Sequence, residues 1–299
     1  MTPAVVVTPG PIVALTLTMT LRRAGERLGR AGIATARQDA EVLLARVLGT
    51  TRLGLYTTGH VSMPEAARAI FEALVARRAG HEPLQYLLGE TEFCGLVLEL
   101  GPGVFIPRPE TEALVDRALG LCPPAAATVL DLCAGSGAIA CALGRRCPEW
   151  TVWAVEQAAP AANCARANVR RLGLDGRVCV LEGDLFGPLR GRVPAGVVDL
   201  VVANPPYLAT PIWPTLPVEV RDWEPRAALD GGADGLDVIR RLLGEAPAWL
   251  RPGGGLLAEI GEEQGPAAHA LVRADGRYAE AHVHRDFRGC ERVLEARRR

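Results

Sequence analysis

The sequence predicts an α/β fold, a mainly parallel, doubly wound sheet with helices on both faces, preceded by a small all-helical N-terminal domain and a β-hairpin connector. Three observations predict it. Beyond Pro109, short apolar runs alternate with amphipathic stretches of helical length, the pattern of a parallel sheet with crossover helices. The first of those runs enters a glycine-containing turn that opens a helix, the ligand-binding corner of open α/β sheets. Before Gly80, apolar residues recur at helical spacing only.

Taken in order, residues 1–18 are apolar and proline-containing. They have neither the basic n-region of a secretory signal nor a run of transmembrane length, and read as a flexible tail; Met19, where an amphipathic pattern begins, is an alternative start. Residues 19–88 form the helical domain. Its stripes are Leu21, Ala24 and Leu28, then Ala40, Leu43, Leu44, Val47 and Leu48 ending at Gly49, then Ala66, Ala69, Ile70, Ala73 and Leu74 after Pro64. Residues 89–107 are the hairpin linker, with Phe93, Leu96, Val97, Leu98 and Leu100 set around Gly95 and closed by Gly101-Pro102-Gly103. In residues 108–299 strands are expected at Thr128 to Leu132, Thr151 to Val155, Arg177 to Leu181, Val198 to Val202 and Gly255 to Ile260, with a final pair at Tyr278 to His284 and Arg292 to Glu295. Helices are expected to Arg146 and over Ala158 to Leu172 and Leu236 to Leu250.

Composition narrows the function classes. The chain of 299 residues is 49% hydrophobic with a formal charge of −1, enough apolar matter for real cores and no basic excess of the kind that neutralises phosphates. Direct nucleic-acid binding and membrane insertion are not expected. No lysine occurs, so every fixed positive side chain is arginine. The eight cysteines include no C-x-x-C pair and no histidine at metal-ligand spacing, and read as reduced thiols in a cytoplasm. His282 and His284 alternate on one side of an expected strand without a third ligand, so no metal site is expected.

Four strand ends carry the chemistry. The first runs through Asp131 into Cys133, Ala134, Gly135, Ser136 and Gly137, where glycines let a backbone approach a ligand. Ala140 is a permitted variant of the dinucleotide fingerprint, so these residues alone leave a nicotinamide enzyme open. Glu156, about 20 residues on, sits where a carboxylate hydrogen-bonds a ribose diol. Asp184 and Leu185 close the third strand, where Asp184 can accept from an adenine amine and Leu185 can cover the ring. Asn204, Pro205, Pro206 and Tyr207 follow the fourth. Two prolines fix φ and remove two donors, so the loop offers acceptors in a rigid frame. Such a frame suits a planar NH2 group held with its nitrogen aimed at an electrophilic methyl, a catalysis of positioning and electrostatics. Arg108, Glu110 and Glu112 read as a helix start, the carboxylates favoured by its dipole and within reach of Arg108.

At these residues the chain resembles the S-adenosylmethionine (SAM)-dependent methyltransferases with an Asn-Pro-Pro-Tyr loop, which act on amines of DNA, RNA or protein. Further strings narrow it: Glu82 to Glu90, Phe105 to Glu112, Glu224 to Leu229, Glu259-Ile260-Gly261 with Gln264-Gly265, and Glu291-Arg292-Val293. They are similar, in order from about Met19 to the C-terminus, to the release factor glutamine methyltransferase family. The resemblance implies a Rossmann-like class I methyltransferase sheet, SAM as donor and S-adenosyl-L-homocysteine as product. The implied reaction is methylation of the side-chain amide nitrogen (N5) of the glutamine in the Gly-Gly-Gln motif of class I peptide chain release factors by a monomeric enzyme; the alternative is an exocyclic amine of RNA or DNA. Carried over by position, Cys133 to Gly137, Glu156 and Leu185 contact SAM, Asn204 to Tyr207 hold the glutamine amide with Asn204 near both ligands, and the helical domain engages the release factor. Cys133 departs from the family, which often has glycine there, as do Ala134, residues 1–18 and, loosely, Arg285 to Cys290.

Overall fold

The computed structural model describes residues 16–57, 62–121 and 126–299; most of the expected tail lies outside them, as do His60 and Cys122. The chain divides into two compact units, Met1–Leu88 and Gly89–Arg299.

The first unit is helical throughout: α1 (Leu17–Arg30), α2 (Ala36–Leu48), α3 (Arg52–Thr57), α4 (Glu65–Ala79) and α5 (Leu84–Leu88). Helix α1 opens at Leu17 because the Thr16 hydroxyl accepts the Met19 N–H at 3.3 Å, one of the donors a helix start leaves unpaired. Gly49, at φ 61°, ends α2 in the left-handed cap that favours glycine. Leu28, Leu43, Leu44, Leu55 and Phe71 form the centre of the core. The third expected stripe is corrected: α4 buries Phe71, Val75 and Arg78, while Ile70 is 57% exposed. Burying an aromatic ring and a valine removes more apolar surface from water than a stripe made largely of alanine, so the helix turns that face inward. Arg78 is buried against Asp39 at 2.6 Å.

In the second unit β1 (Glu90–Phe93) and β2 (Leu96–Glu99) form the expected hairpin, turning through Cys94 and Gly95, both at positive φ. It is more than a connector, since Phe93 and Leu98 belong to the core of this unit. Then follow α6 (Glu112–Leu121), β3 (Thr128–Leu132), α7 (Ala138–Arg146), β4 (Thr151–Glu156), α8 (Ala159–Arg171), β5 (Val178–Glu182), β6 (Val198–Ala203), a short α9 (Val218–Arg221), α10 (Asp237–Trp249), β7 (Leu250–Glu259), α11 (Gly265–Asp275), β8 (Tyr278–Arg285) and β9 (Glu291–Arg298). The sheet order is β5-β4-β3-β6-β7-β9-β8. Strands β3 to β7 pair in parallel, and the final hairpin closes one edge antiparallel. This is the Rossmann-like sheet the sequence predicts.

Residues from α6, α7 and α8 cover one face, around Val129, Val152 and Leu200. Residues from α10 and α11 cover the other, around Leu130, Val201 and Leu256. Burial on both faces explains why β3 and β6 read as continuous apolar runs. Strand order reverses at β3, which has β4 on one side and β6 on the other, and a crevice at the carboxyl ends of these strands is the usual ligand site of such sheets. Among the described residues no helix is long and apolar enough to cross a membrane.

Candidate active site

A cavity of about 370 Å³ opens at that switch point, within the range of roughly 300–1,000 Å³ typical of small-molecule and cofactor sites. Its walls bring together Cys133, Ala134, Gly135, Ser136, Glu156, Asp184, Leu185, Asn204 and Pro206, residues the sequence places on four separate strand ends. Gly137, Pro205 and Tyr207 do not line it. A side chain at Gly137, φ 78°, would meet the Ala165 Cβ at 3.0 Å, so this glycine serves the close packing of α7 on α8. Pro205 is buried, and the Tyr207 side chain turns toward Glu259 instead.

The glycine loop is held from outside. The Gly135 N–H donates to Glu156 Oε2 at 2.8 Å, and Glu156 Oε1 accepts the Ala158 N–H at 2.8 Å. Glu156 thus braces the loop as well as facing the cavity. Buried Asn168 accepts the Glu99 N–H and donates to the Glu99 and Ser136 carbonyls, tying the hairpin to the loop. Cys133 adopts φ 60°, a left-handed position where glycine is at ease; burial pushes its thiol far up, so it is a neutral wall of the pocket. Two buried polar atoms at this corner have no partner: Asp131 Oδ1 and Ser136 Oγ. Burial, aided by the charge of Glu156, pushes Asp131 up to about 8, although its Oδ2 accepts the Ala140 N–H at 2.9 Å.

At the third strand end both oxygens of Asp184 receive Arg241 of α10, at 3.2 and 2.6 Å. Arg241 also lines the cavity. Nothing in the sequence separates it from its neighbour Arg240, which points to Asp234 and Asp237 instead. Leu185, at φ 43°, is 5% exposed.

The loop after β6 is clamped on all sides. Asn204 Nδ2 donates to Thr111 Oγ1 at 3.2 Å, Tyr207 Oη to Glu259 Oε1 at 3.2 Å, and Gln264 Nε2 to the Tyr207 carbonyl at 2.9 Å. Burial and the Glu259 charge raise the Tyr207 phenol, keeping it protonated and a donor. Gly231 and Gly235 let the backbone of residues 231–235 lie against the loop: a Cβ at Gly235 would be 2.2 Å from the Tyr207 carbonyl oxygen. The Arg108 expectation is corrected. Its guanidinium pairs with Glu224, whose other oxygen accepts the Ile106 N–H at 3.2 Å, while Glu110 pairs with Arg288 and Glu112 accepts the Cys94 N–H. Arg108 precedes the helical turn in extended backbone, at φ −99° and ψ 145°, so it does not stand in the i,i+4 position on a helix face from which it would meet Glu112. Phe105, Thr111, Pro225 and Ala228 complete the walls; they lie in strings quoted above for their resemblance, but carry no chemistry legible in isolation. His284 pairs with Glu295 at 2.7 Å, a structural contact.

The cavity meets the needs of a SAM molecule on three counts: unpaired buried polar atoms at the glycine loop, open space over Gly135 where a ligand can approach the backbone, and apolar walls from Ile139, Val155, Leu185 and Val238. The comparisons with known proteins agree. The PrmC N-terminal domain family matches residues 20–89, and the methyltransferase small domain family matches residues 111–211. A release factor glutamine methyltransferase of Moorella thermoacetica is 43% identical over 286 residues, covering 95% of this chain and 99% of the relative. The chain belongs to the release factor glutamine methyltransferase family. A Geobacter sulfurreducens member is 43% identical over 270 residues, covering 90% and 92%. As a member of this family the chain is a SAM-dependent methyltransferase. Among solved structures, the hMettl16 catalytic domain in complex with the MAT2A 3'UTR hairpin 6 shares the fold, with a TM-score of 0.54 and 16% identity over 80% of this chain and 84% of that one.

Proposed function

We propose that this enzyme methylates the side-chain amide nitrogen of the glutamine in the Gly-Gly-Gln motif of class I peptide chain release factors, in the cytoplasm, releasing S-adenosyl-L-homocysteine. The observation that carries the reading is a rigid acceptor loop whose Asn204 and Pro206 line a cofactor-sized cavity in a chain that matches members of this family over nearly their whole length. An amine of RNA or DNA is the less supported substrate, since the net charge is −1 and phosphate binding needs a basic surface.

SAM supplies an electrophilic methyl group on a sulfonium. Ser136 Oγ would satisfy its polar end, Glu156 its ribose hydroxyls, and Asp184, held by Arg241, its adenine amine beside Leu185. Asn204 Oδ1 and a loop carbonyl accept the two N–H groups of the glutamine amide. These bonds draw density toward nitrogen and orient it for attack, and the extra proton passes to water after transfer. Residues 19–88 engage the release factor, a role supported by the match of residues 20–89 to the PrmC N-terminal domain family. The test is mass spectrometry of the release factor after incubation with enzyme and SAM: a 14 Da gain on the Gly-Gly-Gln glutamine is expected, and label on RNA or DNA alone would overturn the reading.

Glu156 provides a second check. Glu156→Ala removes both the brace on Gly135 and a diol partner, so the SAM dissociation constant should rise about ten- to a hundredfold, since each hydrogen bond to a charged group is worth about 1.5–3 kcal/mol. Isothermal titration with SAM measures it; an unchanged affinity would remove Glu156 from the site.

A further inference from the structure

Phe287 stands in the β8–β9 turn, 75% exposed, the most exposed large apolar side chain of the second unit among the described residues. An aromatic ring left in water forfeits the stabilisation that burial would bring, so the ring adds little to the fold. The turn beneath it is nevertheless firmly built. Asp286, whose side chain is buried, accepts the Arg288 and Cys290 N–H groups on Oδ1 at 2.9 and 3.1 Å, and Arg292 Nε on Oδ2 at 3.3 Å. Its backbone N–H donates to the Cys290 carbonyl at 2.9 Å and its carbonyl accepts the Gly289 N–H at 3.0 Å. Arg285 Nη1 donates to the Gly289 carbonyl at 2.6 Å.

The sheet sets this turn at the edge where the acceptor loop opens. Strand β9 runs antiparallel to β7, with Val293 opposite Glu259, so the β8–β9 turn lies beyond the carboxyl ends of the parallel strands, as does Asn204 after β6. A series of contacts joins the two. Arg288, next to Phe287, pairs with Glu110 at 3.0 Å, and Glu110 precedes Thr111, whose hydroxyl accepts from Asn204 Nδ2 at 3.2 Å. Ile212 and Val218, 40% and 37% exposed, lie in the connection from β6 to α10 and so at the same edge.

A Gly-Gly-Gln motif gives an enzyme little to hold. Two of its residues have no side chain and the third is taken up by the amide-holding loop, so the partner must be told apart by surface outside the motif. We propose that Phe287 is an apolar anchor for the protein substrate, seated on binding in an apolar pocket of the release factor surface that flanks the Gly-Gly-Gln loop. The proposal rests on the glutamine reading above and names a recognition residue for it. A ring on a preordered turn lowers the ordering cost of association, and aromatic anchors in partner pockets supply much of the energy of an interface. Phe287 does not line the cavity, so it holds ground state and transition state alike, and its loss appears in KM for the release factor, not in kcat.

The experiment compares the full-length wild type with Phe287→Ala, Phe287→Leu and Val197→Ala, using intact release factor and SAM. Val197, 44% exposed, precedes β6 at the opposite edge of the sheet and is the control. Phe287→Ala should raise KM for the release factor about ten- to thirtyfold, the loss expected of an aromatic anchor, with kcat and the SAM dissociation constant within about twofold of wild type. Phe287→Leu keeps an apolar group for the pocket and should return KM to within about threefold. Val197→Ala should match wild type, and SAM titration establishes that each variant is folded. A wild-type KM in Phe287→Ala, a fall in kcat at constant KM, equal impairment of Ala and Leu, or an equal rise in Val197→Ala would each overturn the proposal. So would sedimentation showing a wild-type dimer that Phe287→Ala dissociates, which assigns the ring to a second copy of this chain. A wild type that leaves the glutamine unmethylated would instead sink the functional reading, and the anchor's partner with it.

Discussion

Asn204→Ala should reduce methyl transfer to the release factor by more than about a hundredfold, the scale seen when one preorganised hydrogen-bonding group is removed from a transition-state site, while SAM affinity falls only modestly. The asymmetry follows from where the residue sits. Its amide is anchored to Thr111 at 3.2 Å and borders the cavity beside Pro206, whereas the glycine loop and Glu156, which brace one another, are untouched by the change. Single-turnover kinetics at saturating SAM separates the two effects. Turnover at the wild-type level would dismantle the mechanism, and a loss of SAM binding as large as the loss of rate would make Asn204 a cofactor residue instead.

Gly235→Ala should be nearly as damaging without touching a reacting group. Gly235 has φ 77°, and an added Cβ would lie 2.2 Å from the Tyr207 carbonyl oxygen and 2.5 Å from Gln264 Nε2. The left-handed conformation costs a non-glycine residue about 1–3 kcal/mol. Relieving the overlap must also push the Asn204–Tyr207 loop or break the Gln264 clamp at 2.9 Å. A fall in Tm of about 2–4 °C per kcal/mol lost is expected, together with a drop in kcat of about a hundredfold from loop displacement. Gly276→Ala is the control. Gly276 has φ 74° with nothing within 4 Å of an added Cβ, so it incurs the strain alone and should lower Tm while leaving kcat near wild type. Equal kcat in the two variants would show that loop position is not what Gly235 protects.

Much of the site was legible because its parts sit at strand ends, where local rules are strong. Glycines in a strand-to-helix turn, an acidic residue ending the next strand, and a rigid Asn-Pro-Pro-Tyr loop each have a chemistry that can be stated from residue type and spacing alone. Thr111 was legible only within a string that resembles a family, because a threonine at a helix start looks like any other. Arg241 was hidden among the polar residues of an amphipathic helix, since helical spacing reports which side is buried but not which arginine meets a carboxylate 57 positions away. The α4 stripe went astray for a related reason: a run of alanines fits more than one face, and only packing against Leu43 and Leu44 selects the one with Phe71.

The sequence by itself determined the alternation of strands and helices, the helical first unit, the rigid Asn-Pro-Pro-Tyr loop and the glycine-containing turn, because backbone constraint and hydrophobic periodicity act over a few residues. Only the tertiary structure decided how those parts are used. It placed β3 between β4 and β6, so that four distant strand ends share one cavity, and it turned Tyr207 away from that cavity onto Glu259. It also set the Thr111 hydroxyl against the Asn204 amide. Such contacts are fixed by sheet order and by the need to satisfy every buried polar group, conditions that no local stretch of chain contains.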